Sequence, residues 1–119
     1  MPIIPITISY RKEELNVEAL IDSGASMCFC PIEIGQAIGI QLEKCPKGDL
    51  TGVGGTAEIF IHKLDVTLEF GKHRISADVG FGKFDFHGFS FVLGQKDFFE
   101  NVNILFERRK ERIELHLPI

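Results

Sequence analysis

The sequence holds no apolar run near the roughly 20 residues that a membrane-spanning helix needs, so no such span is expected and a membrane partner is not either. The first ten residues, Met1 to Tyr10, lack the basic start and long apolar stretch of a secretory signal. Basic charge is also scarce. Thirteen Lys and Arg stand against 17 Asp and Glu, for a formal charge of -4, which argues against a nucleic-acid partner bound through a broad basic face. Cysteine is sparse and odd in number, at three. A disulfide framework is therefore not expected, and a reducing, cytoplasmic setting fits better. Repeats, linkers and low-complexity stretches are missing too. With 45% hydrophobic and 25% charged residues, the chain is not disordered. Its 119 residues suit one domain spanning 1–119, with about two thirds of the unfolded surface buried.

The pattern is mostly β. Ile4, Ile6 and Ile8 alternate with Pro5, Thr7 and Ser9 at strand spacing. A charged turn at Arg11 to Glu14 leads into a second strand, Leu15 to Ile21. Met27 to Cys30 reads as strand, and Pro31 to Ile38 as a short helix capped by Gly39. Further strands are expected at 49–53, 56–70, 73–81 and 89–93, with a tight turn at Gly71-Lys72. Gln95 to Asn101 reads as one or two helical turns. Alternation at Val102, Ile104 and Phe106, then at Ile113, Leu115 and Leu117, predicts a closing hairpin around the mixed-charge turn 107–111. The fold class expected is all-β with two short helices, in a closed or nearly closed barrel.

Chemistry concentrates at Ile21-Asp22-Ser23-Gly24-Ala25, where an apolar strand delivers a carboxylate into a Ser-Gly turn. Alone the tripeptide is common turn chemistry, since Asp and Ser bond locally and Gly permits positive φ. Thr51 to Gly55 adds a glycine-rich hairpin tip whose backbone can approach a ligand and move. Phe91-Val92-Leu93-Gly94 adds an apolar strand ending at glycine before a helical turn. Of the six aspartates, only Asp22 is followed by Ser or Thr and then Gly.

In that order the motifs resemble the retropepsin-like aspartic proteases, the single-domain, retroviral-type relatives of pepsin, from about Ile3 to Leu117. Asp22-Ser23-Gly24 resembles the Asp-Thr/Ser-Gly signature, Gly52-Val53-Gly54-Gly55 the flap, and Val92-Leu93-Gly94 the apolar pair and glycine that pack under the active-site loop. The resemblance implies an aspartic endopeptidase with no cofactor and no metal. Asp22 is then catalytic, and Ser23, Gly24 and Ala25 support its loop. A homodimer supplies the second Asp22, and the flap closes on a peptide or protein held as an extended strand. The family often carries Asp and Arg at the positions of Ser26 and Gln95, so the ion pair between them is missing here.

Other readings remain beside this one. A retropepsin-like fold can also serve as a non-catalytic dimerisation or peptide-binding module, and a small ligand-binding barrel could hold Asp-Ser-Gly as a mere turn. Cys28 and Cys30, two apart on a strand, are either small buried apolar residues or, with Cys45 and a histidine, zinc ligands. Gly52 to Ala57 fits the loose dinucleotide fingerprint, but a strand rather than the required helix follows. The four histidines lack metal-ligand spacing, and no G-x-S-x-G is present. The phenylalanine-dense segment 80–91 is compatible with a substrate groove, a dimer contact or ordinary packing.

Overall fold

The computed structural model describes residues 2–52, 55–69 and 73–95, and the strand backbones of 103–107 and 112–116. The elements run β1 (Ile3–Tyr10), β2 (Glu13–Ile21), β3 (Cys28–Pro31), α1 (Ile32–Ala37), a 3-10 turn (Leu42–Lys44), β4 (Lys47–Gly52), β5 (Gly55–Leu68), β6 (Arg74–Gly82), β7 (Phe91–Leu93), β8 (Asn103–Glu107) and β9 (Arg112–His116). Of the helical turns expected at 95–101 only Gln95 is among the described residues, and the turn at Gly71-Lys72 lies outside them.

The strands close on themselves in the order β1-β2-β7-β3-β6-β5, and β5 returns to pair with β1. Closure into a six-strand barrel removes the open edges of the ring. It depends on the 14-residue β5. Ile6↔Leu68 through Ser9↔Asp65 join its last residues to β1, and Phe60↔Phe81 through Thr67↔Arg74 join it to β6. The first part of β5 projects beyond the ring and carries β4 as a hairpin, Lys47↔Phe60 to Gly52↔Gly55. β8 and β9 pair only with each other among the described residues.

Alternation explains the core. Ile6, Ile8, Ala19, Ile21, Leu64, Val66, Leu68, Ile75, Ala77, Val79 and Phe81 all point inward and are buried. Each such large side chain stabilises the fold by about 1.5–3 kcal/mol relative to exposure. Cys28 and Cys30 face this core from β3, while Phe29 between them faces the other way. Burial, with a smaller contribution from Glu33, pushes the Cys30 thiol far above its ordinary range, which suits an apolar filler rather than a metal-binding thiolate. Pro31 ends β3 and caps α1, so the helix starts one residue later than its sequence suggests. Gly39, at φ +92°, ends the helix in a conformation open to glycine.

Two parallel pairings tie the middle of the barrel together. Ala19↔Phe91, Leu20↔Val92 and Ile21↔Leu93 lock β2 to β7, and Cys28↔Val79 through Pro31↔Gly82 lock β3 to β6. β7 is shorter than the strand expected from Phe89 onward, because Phe89 and Ser90 precede the ladder. The outcome is that the ends of β2, β3 and β7 meet at one rim of the barrel.

Candidate active site

Asp22 follows the last buried residue of β2 and stands at that rim, half-buried. Its backbone N–H donates to the Leu93 carbonyl at 3.0 Å, extending the β2–β7 ladder by one rung. The chain then turns back on itself. The Gly24 N–H donates to Asp22 Oδ1 at 2.9 Å, and the Ala25 N–H to the Asp22 carbonyl at 3.1 Å. Among the described residues the Gly24 bond is the one hydrogen bond made to this carboxylate, so most of its accepting capacity remains available. A side chain at position 24 would crowd the carboxylate, since a Cβ there would lie 3.1 Å from Asp22 Oδ1 and push it aside by a few tenths of an ångström. Ser23, Gly24 and Ser26 are exposed, and Ala25 is half-buried.

β7 fixes this loop from below. A Cβ on Gly94 would fall 2.2 Å from the Met27 carbonyl oxygen and 2.9 Å from that of Ala25. Backbone thus lies on backbone, and only glycine fits. Val92 and Leu93 lead into that contact, Leu93 buried in the barrel core and Val92 facing the opposite side. Gln95 closes the arrangement. Its N–H donates to the Ala25 carbonyl at 2.8 Å, and its side-chain amide donates to the Ser23 carbonyl at 2.5 Å. Sequence reasoning noted Gln95 only for the charge it lacks. Two neutral hydrogen bonds here hold the loop instead.

Gly52 and Gly55 pair at the tip of the β4–β5 hairpin, and Val53 and Gly54 lie outside the described residues. Gly55 sits at φ +109° with open space around its Cα, so its need for glycine is conformational. The body of this hairpin meets the loop through a second apolar cluster outside the barrel. Phe29, Ile59 and Val92 form its buried part, with Ala25, Met27, Leu50, Ile61, Phe84, Phe86 and Phe89 packed against it.

Phe84, Phe86 and Phe89 stack in series, with centroids 5.2 and 4.9 Å apart, and Phe29 meets Phe84 edge-on at 5.7 Å. The phenylalanine-dense segment therefore divides. Phe81 and Phe91 fill the core, and the other three are half-buried beside the loop. Met27, Phe29, Leu50 and Ile59 escaped the sequence reading. The available signal was Gly80 and Gly82, whose missing side chains leave room for Ile59, Phe29 and Phe84 within 2.9–3.2 Å of an added Cβ.

No three His, Cys, Asp or Glu side chains gather as a metal-binding group among the described residues.

A family described as aspartyl protease matches residues 4–96. Comparison with curated proteins gave no match. Several solved structures share the fold. A retropepsin-like aspartic protease from Rickettsia conorii is 20% identical with a TM-score of 0.59, covering 88% of this chain and 75% of its own. The EIAV protease bound to the inhibitor HBY-793 is 17% identical with a TM-score of 0.59, covering 78% of this chain and 80% of its own. The retroviral protease-like domain of Ddi1 from Leishmania major is 14% identical with a TM-score of 0.54, covering 100% and 96%.

Proposed function

The chain belongs to the aspartyl protease family, with a retropepsin-like fold, and from that premise we propose that it is an aspartic endopeptidase working as a homodimer. The observation that carries the proposal is the Asp22 rim. One carboxylate is held by a loop that β7 and Gln95 pin in place, with most of its accepting capacity open and exposed serines beside it. A second copy turned about a two-fold axis would bring a second Asp22 to the first.

Two carboxylates that close cannot both ionise, so the pair shares a proton. The ionised member takes a proton from a water as it attacks the scissile carbonyl carbon. The protonated member polarises the carbonyl oxygen and later protonates the departing nitrogen. The Gly24 N–H holds charge on Oδ1 and orients the carboxylate plane. Ser23 would bond across the two-fold axis, and the β4–β5 hairpin would cover an extended peptide and exclude water. The apolar cluster at the base of that hairpin gives substrate side chains an apolar wall.

The test is cleavage of a complex peptide mixture, read by mass spectrometry, with the wild type and Asp22→Asn. Asparagine keeps shape but cannot act as the base. Cleavage by the wild type and none by a folded Asp22→Asn chain is expected. Equal cleavage by both would remove Asp22 from the chemistry, and no cleavage by a wild type proven dimeric would leave a binding module.

A further inference from the structure

At the end of β2 remote from Asp22, the barrel carries a cleft of about 440 Å³ whose wall includes Tyr10, Arg11, Gln41, Lys44, Pro46 and His62. The eight residue steps from Glu13 to Ile21 put it roughly 25–30 Å from the Asp22 rim.

The chain is acidic overall, at -4, yet no Asp or Glu lines this cleft among its described residues. The ion pairs found among the described residues join Lys63 to Asp78 and Arg74 to Asp65, which leaves the charges of Arg11 and Lys44 to the cleft. Its cationic wall is built in layers. The Arg11 guanidinium lies over the Tyr10 ring, 5.1 Å from its centroid, and Tyr10 meets the His62 ring edge-on at 5.1 Å and 84°. His62 Nδ1 lies 2.6 Å from the Lys63 carbonyl. A carbonyl can only accept, so Nδ1 carries the proton and this bond fixes the ring that Tyr10 rests against.

The backbone singles out Arg11 independently. It sits at φ +56° in the turn between β1 and β2, the one described non-glycine residue with positive φ. That first turn position favours glycine, and an arginine held there against its backbone preference points to a use for its side chain. The Cys45 thiol on the same wall is pushed upward, by burial and then by Glu43, so the cleft offers cationic donors rather than a reactive thiolate.

We propose that this cleft is a second ligand site, separate from Asp22, for a small organic anion. A phosphate or carboxylate group sits between Arg11 and Lys44, and the remainder of the molecule rests on Pro46 and the Tyr10 and His62 rings. The volume falls within the range of small-molecule sites and exceeds what a bare oxyanion fills. Arg11 supplies the forked donors that match an oxyanion, and Lys44 a mobile point charge.

The experiment follows backbone amide shifts of the isotope-labelled chain on titration with inorganic phosphate and with phenyl phosphate, at constant ionic strength balanced by chloride. Saturable shifts confined to Tyr10, Arg11, Gln41 and Lys44 are expected, with phenyl phosphate binding about tenfold more tightly. Arg11→Gly relieves the backbone and should raise the unfolding temperature while abolishing the shifts, so loss of binding cannot be ascribed to misfolding. Lys44→Gln should weaken binding severalfold. Shifts that do not saturate, or that persist in Arg11→Gly, overturn the site. Equal affinity for the two probes overturns the organic ligand. Asp22→Asn should bind as the wild type does, so this result stands or falls apart from the protease reading.

Discussion

Replacing Gly94 by alanine should damage the fold and the Asp22 rim together. The added Cβ would fall 2.2 Å from the Met27 oxygen, 2.6 Å from the Met27 carbonyl carbon and 2.9 Å from the Ala25 oxygen. Favourable carbon contacts begin near 3.5 Å, so the overlap is about 1 Å. All three atoms are backbone and cannot rotate aside. The 25–27 segment must therefore lift, weakening the 2.8 Å bond from Gln95 N–H to the Ala25 carbonyl. Overpacking costs about 1–3 kcal/mol and a lost hydrogen bond about 0.5–1.5, giving about 2–4 kcal/mol together. With a urea slope of about 2 kcal/mol/M, the unfolding midpoint should drop by about 1–2 M at fixed protein concentration. A 1 Å displacement of a reacting group can cost about 100-fold in rate. Gly24→Ala is the contrasting variant. Its Cβ meets only the Asp22 carboxylate, at 3.1 Å, so stability should change by less than about 0.5 kcal/mol while cleavage falls. A Gly94→Ala chain that unfolds and cleaves like the wild type would refute the claim that β7 fixes the loop.

Three further outcomes follow from the same geometry. Gln95→Ala removes the amide donor to the Ser23 carbonyl and should cost about 0.5–1.5 kcal/mol in urea unfolding, with slower cleavage; an unchanged kcat would make that bond incidental. Gly55→Val forces a β-branched residue to φ +109°, so it should cost about 1–3 kcal/mol of backbone strain in urea unfolding and slow cleavage; a wild-type rate would mean that the hairpin tip does not close on substrate. Cys30 is protonated in the folded state far above its ordinary value of 9.0, because burial penalises the thiolate. The unfolded chain releases that proton above about pH 9, so the stabilising contribution is complete below this value and falls by about 1.4 kcal/mol per pH unit above it. Urea midpoints at about pH 8 and about pH 10 should therefore drop further for the wild type than for Cys30→Ala, and parallel drops would contradict the burial argument.

The parts of the fold that were legible in sequence are those written in local periodicity. Ile6 and Ile8 point inward from β1 as their alternation with Thr7 predicts, and Gly39 ends α1 where a helix-ending glycine was expected. The parallel pairings β2–β7 and β3–β6 were not legible, because they join residues about 50–70 positions apart and leave no short-range mark. Gly94 was read from its motif, but the contact that demands glycine, Met27 backbone, belongs to a distant segment. The outer apolar cluster was hidden for a related reason. Phe29 lies in a run buried on both faces, Cys28 to Cys30, where period two carries no information about which side faces which neighbour. Tyr10, Arg11, Lys44 and His62 come from β1, the turn after it, the 3-10 turn and β5, and the pairing of β1 with β5 helps bring them to one cleft.

The dimeric protease reading meets its sharpest trial in a mixing experiment. Wild-type and Asp22→Asn chains are co-refolded in equal amounts, exchange is confirmed by native mass spectrometry, and cleavage is measured per wild-type chain at fixed total concentration. If each working site needs Asp22 from both chains, roughly a quarter of randomly formed dimers retain the pair, and the rate per wild-type chain falls to about half. An unchanged rate per wild-type chain, with exchange complete, would show that one Asp22 suffices and would contradict the shared-carboxylate mechanism.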